Sequence, residues 1–262
     1  MKPLFIVPWL SLIYISTTKI RHTVIQGTTL DSAVITHTLD GLVNEWPADR
    51  FTTHKETSVR YAADNNSVDL YLAISLPSPA WQAKIMKAGM SLYIDLNGKK
   101  RESRGVEFPI VNEDSPDLPP GKNTDINTIR SMMILNLIKL KLFGFSDNAP
   151  PYQELTMPGS VNVAYGWDSA QVMHIEYRIP ISVFGDPATL NQKNISIGWK
   201  LHAVPTPPQS PAVASTSTRV VGVRPGTRPS GASNTTTPAT NTRNAMNEEQ
   251  RFWGKYVIVI SN

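Results

Sequence analysis

His174, Glu176 and Arg178 occupy alternate positions in the stretch MHIEYRIPISVFG, residues 173–185. An imidazole, a carboxylate and a guanidinium side by side could supply acid–base catalysis or metal ligation. A spacing of two puts all three on one side of a strand, with Met173, Ile175, Tyr177 and Ile179 on the other. Glycoside hydrolysis needs a second acid facing the first across a cleft, and no motif marks a partner for Glu176. The five histidines (His22, His37, His54, His174, His202) follow no metal-ligand spacing. No nucleophile motif marks a serine for a Ser-His-Asp arrangement. The strand reads as scaffold, and no catalytic residue is assigned.

Such a strand has to be held by others, and the chain supplies them. TSVRYAADNNSVDLYLAIS gives two alternating runs around the polar turn Asp64–Ser67, a hairpin pattern. SLYIDLNGKKRESRGVEFPI places Leu92, Ile94 and Leu96 ahead of Asn97-Gly98, the dipeptide best suited to a tight hairpin turn. NLIKLKLFGF, SVNVAYGW, QVMHIEYRI and NISIGWKLHAV alternate in the same way, with a turn expected at Gly166–Ser169. The closing YVIVIS is apolar on both sides and is expected to be a covered strand. Only PSPAWQAKIMKAG reads as helix, with Pro79 at its start and Gly89 at its stop. Many short strands and one small helix define an all-β chain, an antiparallel β-sandwich of immunoglobulin-like or jelly-roll type.

Composition narrows the classes of function. The 262 residues are 40% hydrophobic and 18% charged, enough for one sizeable core. A net charge of +4 with scattered basic residues argues against nucleic acid as a partner. The absence of cysteine removes disulfides, thiolate metal sites and a cysteine nucleophile. Lys2 followed by the apolar run Leu4–Ile15 reads as a secretory signal, too short to span a bilayer. The expected organisation is a signal peptide over 1–18 and a single domain over 19–262, exported to the periplasm or beyond. Within that domain, 205–243 is rich in Pro, Ser, Thr and Gly and is expected to be a disordered loop.

With the elements in this order, the chain resembles the carbohydrate-binding module family 9-like domains, relatives of the DOMON sandwiches, in the versions found in secreted Bacteroidetes proteins. The matching stretches are LDGLVNEWP (39–47), DLYLAI (69–74), AWQAKIMKAGMSLYIDLNGKK (80–100), RGVEFPI (104–110), IEYRIPISVFG and FWGKYVIVI. The resemblance implies a sandwich that binds a glycan or polysaccharide without catalysis, and a carbohydrate-binding module is the expected function. The candidate ligand residues are Trp167 and Tyr152, aromatics placed in loops where a sugar ring could stack, with Arg104 and Glu107 as hydrogen-bonding forks. Trp46, Trp81, Trp199 and Trp253 are expected to pack into the core. No cofactor is expected; calcium is the one metal that the acids Asp64, Asp69 and Asp95 suggest. Two other readings compete. A DOMON-type haem-binding electron-transfer domain would need Met173 and His174 on one pocket, yet adjacent residues of a strand face opposite ways. An envelope adhesion or assembly protein would use its sheet surface to hold a cell-envelope partner.

Overall fold

The structure, a computed structural model, describes residues 24–25, 36–111, 137–145, 150–156, 161–204 and 247–260, together with 127, 130, 131, 134 and 159. The expected signal segment 1–18 and the expected loop 205–243 lie outside these. Among the described residues no helix is long and apolar enough to cross a membrane.

Among the described residues twelve strands follow in chain order: β1 (Val24–Ile25), β2 (Thr52–Thr53), β3 (Arg60–Asn65), β4 (Asp69–Leu76), β5 (Met90–Asp95), β6 (Gly105–Phe108), β7 (Lys139–Phe143), β8 (Tyr152–Glu154), β9 (Asn162–Trp167), β10 (Met173–Pro180), β11 (Asn194–Leu201) and β12 (Gln250–Val257). They form a seven-stranded sheet ordered β1-β12-β11-β5-β6-β7-β8 and a five-stranded sheet ordered β2-β3-β4-β10-β9. Every pairing is antiparallel except that of β1 with β12. The α-helix α1 (Pro79–Ala88) carries the chain from β4 to β5 and so from one sheet to the other. Pro79 sits in its first turn and Gly89, at φ 77°, ends it, as the sequence predicts.

Alternation builds the sandwich. Leu70, Leu72, Ile74 and Leu76 of β4 and Met173, Ile175, Tyr177 and Ile179 of β10 share one apolar cluster with Leu92, Ile94, Ile195, Ile197 and Trp199 of the facing sheet. Tyr177 meets Trp199 edge to face, with ring centres 5.9 Å apart. The fold is therefore the two-sheet, mostly antiparallel sandwich that the periodicity implies.

Three local expectations are corrected. Asn97-Gly98 does not close a two-residue hairpin: residues 96–104 link β5 to β6, and the Asp95 carboxylate orders their start by accepting the Asn97, Lys99 and Arg101 backbone N–H groups. These bonds to the ionised form hold the Asp95 carboxyl below its ordinary pKa against the opposing effect of its burial. The last strand is Gln250–Val257, which begins earlier than YVIVIS and includes only its Tyr256 and Val257. Along it Phe252, Gly254 and Tyr256 are buried while the residues between them are not, so it is covered on one face only. Trp167 ends β9 and does not lie in a turn; the turn is Asp168–Val172, closed by Asp168 N–H donating to the Val172 carbonyl.

Residues 36–51 cross the outer face of the five-stranded sheet as a strap. Trp46 is 5% exposed and packs with Ala62, Tyr71 and Ala73, whose two small side chains make room for the indole. His37 stacks on Trp46 at 3.8 Å. The strap can lie this close because Gly41 has no side chain: a Cβ there would stand 2.3 Å from the Tyr165 carbonyl carbon, and its φ of +81° suits glycine alone. Trp46→Ala is expected to lower unfolding free energy by roughly 3–5 kcal/mol, read as a shift of the urea midpoint with unchanged slope.

Candidate functional site

In the strand that raised the question of chemistry, β10, His174 and Glu176 are buried while Arg178 is exposed. Glu176 is 1% exposed. Its Oε2 accepts the Gly41 backbone N–H and its Oε1 accepts the Trp46 indole N–H, both at 2.9 Å. Burial pushes its carboxyl up to about 7, opposed by those two donors and reinforced by the nearby Glu45 and Asp40 charges. His174 pairs in register with Ser75 of β4. The Ser75 hydroxyl and His174 Nδ1 are 2.8 Å apart, and His174 Nε2 lies 3.2 Å from Asp168 Oδ2. The chain thus contains a Ser–His–Asp relay that no motif announced, because strand register, not sequence proximity, assembles it. Its serine is the penultimate residue of β4 and 2% exposed, so the hydroxyl is closed off from solvent. The relay ties the β9–β10 turn to β4. Met173 faces the core while His174 faces outward with both ring nitrogens engaged, a geometry that does not suit axial ligation of a haem.

The four expected ligand residues fall in three places. Trp167 is partly buried against the core; its N–H donates to Gln82 of α1 at 3.0 Å, and the Arg130 guanidinium lies 4.9 Å over its ring. Arg104 donates to the Gly144 carbonyl at 2.8 Å and lies over Phe184, at the end of the sandwich. Glu107 and Tyr152 are brought together: both stand on the outer face of the seven-stranded sheet, one on each side of Lys141 in the same cross-strand row. Tyr152 is 59% exposed, with the Lys141 ammonium 5.8 Å above its ring. The three acids considered for calcium are apart: Asp64 and Asp69 belong to the five-stranded sheet and Asp95 to the other. Among the described residues no group of three or more His, Asp or Glu could hold a metal ion.

The outer face of the seven-stranded sheet holds the arrangement with most chemical use. One continuous register row runs Trp253, Gly198, Tyr93, Gly105, Phe143 across β12, β11, β5, β6 and β7. The Trp253 ring lies on Gly198, where a Cβ would come within 2.6 Å of it, and Phe143 lies on Gly105, where a Cβ would meet its Cζ at 2.9 Å. Both flanking rings lean toward Tyr93, which is 6.1 Å from Trp253 and 5.7 Å from Phe143 between ring centres. Tyr93 is nearly buried and Trp253 and Phe143 are partly exposed. Burial raises the Tyr93 phenol above its usual value, so it stays neutral. The neighbouring row runs Arg251, Lys200, Ser91, Glu107, Lys141, Tyr152. Apolar rings beside a row of donors and acceptors suit a ligand with one hydrophobic face and a hydroxylated edge.

Trp253, Tyr93 and Phe143 were missed as candidates, although a signal existed. Trp253 shares its parity with Arg251 and Lys255, Tyr93 with Ser91 and Asp95, and Phe143 with Lys139 and Lys141. A large aromatic in the polar register of an alternating strand points away from the core.

No family model matches the chain, and no curated protein does. Among solved structures, the chain is similar to a carbohydrate binding module family 9 (CBM9) from Caldicellulosiruptor kristjanssonii in complex with glucose. That match has a TM-score of 0.34 and 10% identity, over 66% of this chain and 76% of that one. A CBM9 from Caldicellulosiruptor kristjanssonii in complex with cellotriose matches at TM-score 0.33 and 11% identity, over 64% of this chain and 73% of that one. A Bacteroides uniformis protein provisionally named as carbohydrate-binding matches at TM-score 0.25 and 12% identity, over 57% and 66%.

Glu176 carries a pH dependence whose sign is fixed. Its folded pKa of about 7 lies above the ordinary 4.5, so the stability it contributes is complete below pH 4.5 and is lost as pH rises through 7. The loss is at most about 3 kcal/mol on the scale of 1.36 kcal/mol per unit. Glu176→Gln keeps an acceptor for Trp46 and cannot ionise. Wild-type denaturation midpoints are expected to fall between pH 5 and pH 8 while those of the variant stay level.

Proposed function

We propose that the protein is an exported, non-catalytic carbohydrate-binding module that holds its glycan on the outer face of the seven-stranded sheet. The observation that carries this reading is the aromatic row Trp253–Tyr93–Phe143, seated over Gly198 and Gly105 and flanked by hydrogen-bonding side chains. Pyranose rings present C–H faces that stack on aromatic rings, and their hydroxyls bond to side-chain forks and carboxylates. Trp253 and Phe143 supply the stacking. Glu107 and Tyr152, already marked in the sequence, stand in the adjacent polar row with Lys141 and meet the hydroxyls. Trp167 and Arg104 support the sandwich through Gln82, Arg130 and Gly144. The sequence resemblance to family 9-like modules and the Lys2-plus-apolar start support the same reading, including export. The burial of Ser75 and of Glu176 supports a role without catalysis.

Trp253→Ala and Phe143→Ala are each expected to weaken glycan binding by about thirtyfold, on the scale of roughly 2 kcal/mol for a central aromatic contact. Circular dichroism should show the sandwich intact, and Trp253→Phe should recover part of the affinity. Trp167→Ala should lower the melting temperature and leave affinity unchanged. Titration calorimetry against a panel of soluble glycans checks both, and unchanged binding by Trp253→Ala would remove the site from this face.

A further inference from the structure

Resting on that carbohydrate-binding reading, we infer that the face takes an internal stretch of a neutral, unbranched glycan chain laid across the strands. The direction follows from register. The aromatic row and the polar row run parallel, one two-residue step apart on every strand: Trp253 beside Arg251, Gly198 beside Lys200, Tyr93 beside Ser91, Gly105 beside Glu107, Phe143 beside Lys141. A chain along the first row keeps its edge hydroxyls against the second for its whole length. A chain along a strand would meet one ring and then leave the aromatic row. From β12 to β7 the row crosses about 19 Å of sheet at the usual strand spacing. Several consecutive sugar units fit in that length. Gly198 and Gly105 add no side chain between the rings, so successive units meet a continuous strip.

The preference for a neutral chain follows from how the charges on this face are matched. Arg251 holds Glu102 at 3.0 Å and Glu249 at 2.8 Å, and Lys200 holds Glu249 at 3.1 Å. Lys141 stands opposite Glu107, and Lys139 opposite Glu154. Each of these cations has a carboxylate beside it. A uronate or sulfate would have to compete with that carboxylate, whereas a neutral hydroxyl can accept from the ammonium and donate to the carboxylate at once. Row geometry and charge matching are independent observations, and they describe the same ligand.

The test is calorimetry of the full-length protein against ladders of neutral gluco-, xylo- and manno-oligosaccharides, from one unit upward, with an acidic polysaccharide alongside. For at least one ladder, affinity should rise about five- to tenfold with each added unit that reaches another ring, then level off. Reducing the terminal sugar to its alditol should leave the affinity of the longest members unchanged, and so should molar salt. Phe143→Ala should make long members bind like shorter ones and leave the shortest unaffected. A monosaccharide binding as tightly as the longest member, or loss of binding on end reduction, would overturn the internal-chain inference and leave the carbohydrate-binding reading standing. Stronger, salt-sensitive binding of the acidic polysaccharide would overturn the neutral assignment. Failure of every glycan to bind would overturn the underlying reading and this one with it.

Discussion

The carboxyl group of Glu176 gathers two donors, Gly41 N–H and the Trp46 indole, from a segment 135 and 130 residues earlier in the chain. Without that acceptor the strap would bring two polar hydrogens onto a sheet face lined by Ala62, Ala73 and Ala164, with nothing to receive them. An unmet buried donor costs about 1–3 kcal/mol, so an apolar residue at position 176 would cover the face less well than a carboxyl does. The placement of Trp46, the stacking of His37 and the close approach at Gly41 all follow from this one group. It also explains why acid, imidazole and guanidinium on one strand do not make a catalytic site: two of the three are consumed in fastening the chain to itself.

The two outer faces are thereby given different work. The five-stranded sheet is roofed by its own N-terminal segment, and its polar residues bond inward. The seven-stranded sheet keeps aromatic rings in positions where alternation would ordinarily place charged groups, and two glycines let those rings lie against the backbone. A ring covering a glycine restores packing that the missing side chain would have given. The same contact therefore stabilises the sheet and holds the rings on its outer face.

Period-two alternation made the architecture legible, since the inward residues of β4, β5, β10 and β11 are the ones that the sequence puts on one side. The helix was legible from Pro79 and Gly89. Less of the site could be read. Glu107 and Tyr152 were singled out by residue type, and the sheet does bring them together. Arg104 and Glu107 share one charged run of sequence, but Arg104 lies in the link before β6 and donates to the Gly144 carbonyl, while Glu107 stands on the sheet. Trp167 was read as a loop residue because Gly166 precedes it, yet that glycine serves the close packing of the strap at Gly41. Trp253 was assigned to the core from its apolar neighbours, where its parity with Arg251 and Lys255 says otherwise. The Ser75–His174–Asp168 relay depends on which strands become neighbours, which local pattern does not encode.

Two margins of the two sheets end, among the described residues, in strands of only two or three residues: β8 and β2. So little exposed backbone at these two margins gives a second copy almost nothing there to zip onto. Copies crowded together would find no long ladder of free backbone groups along either margin, and fibrils that grow strand by strand would gain little from starting at them.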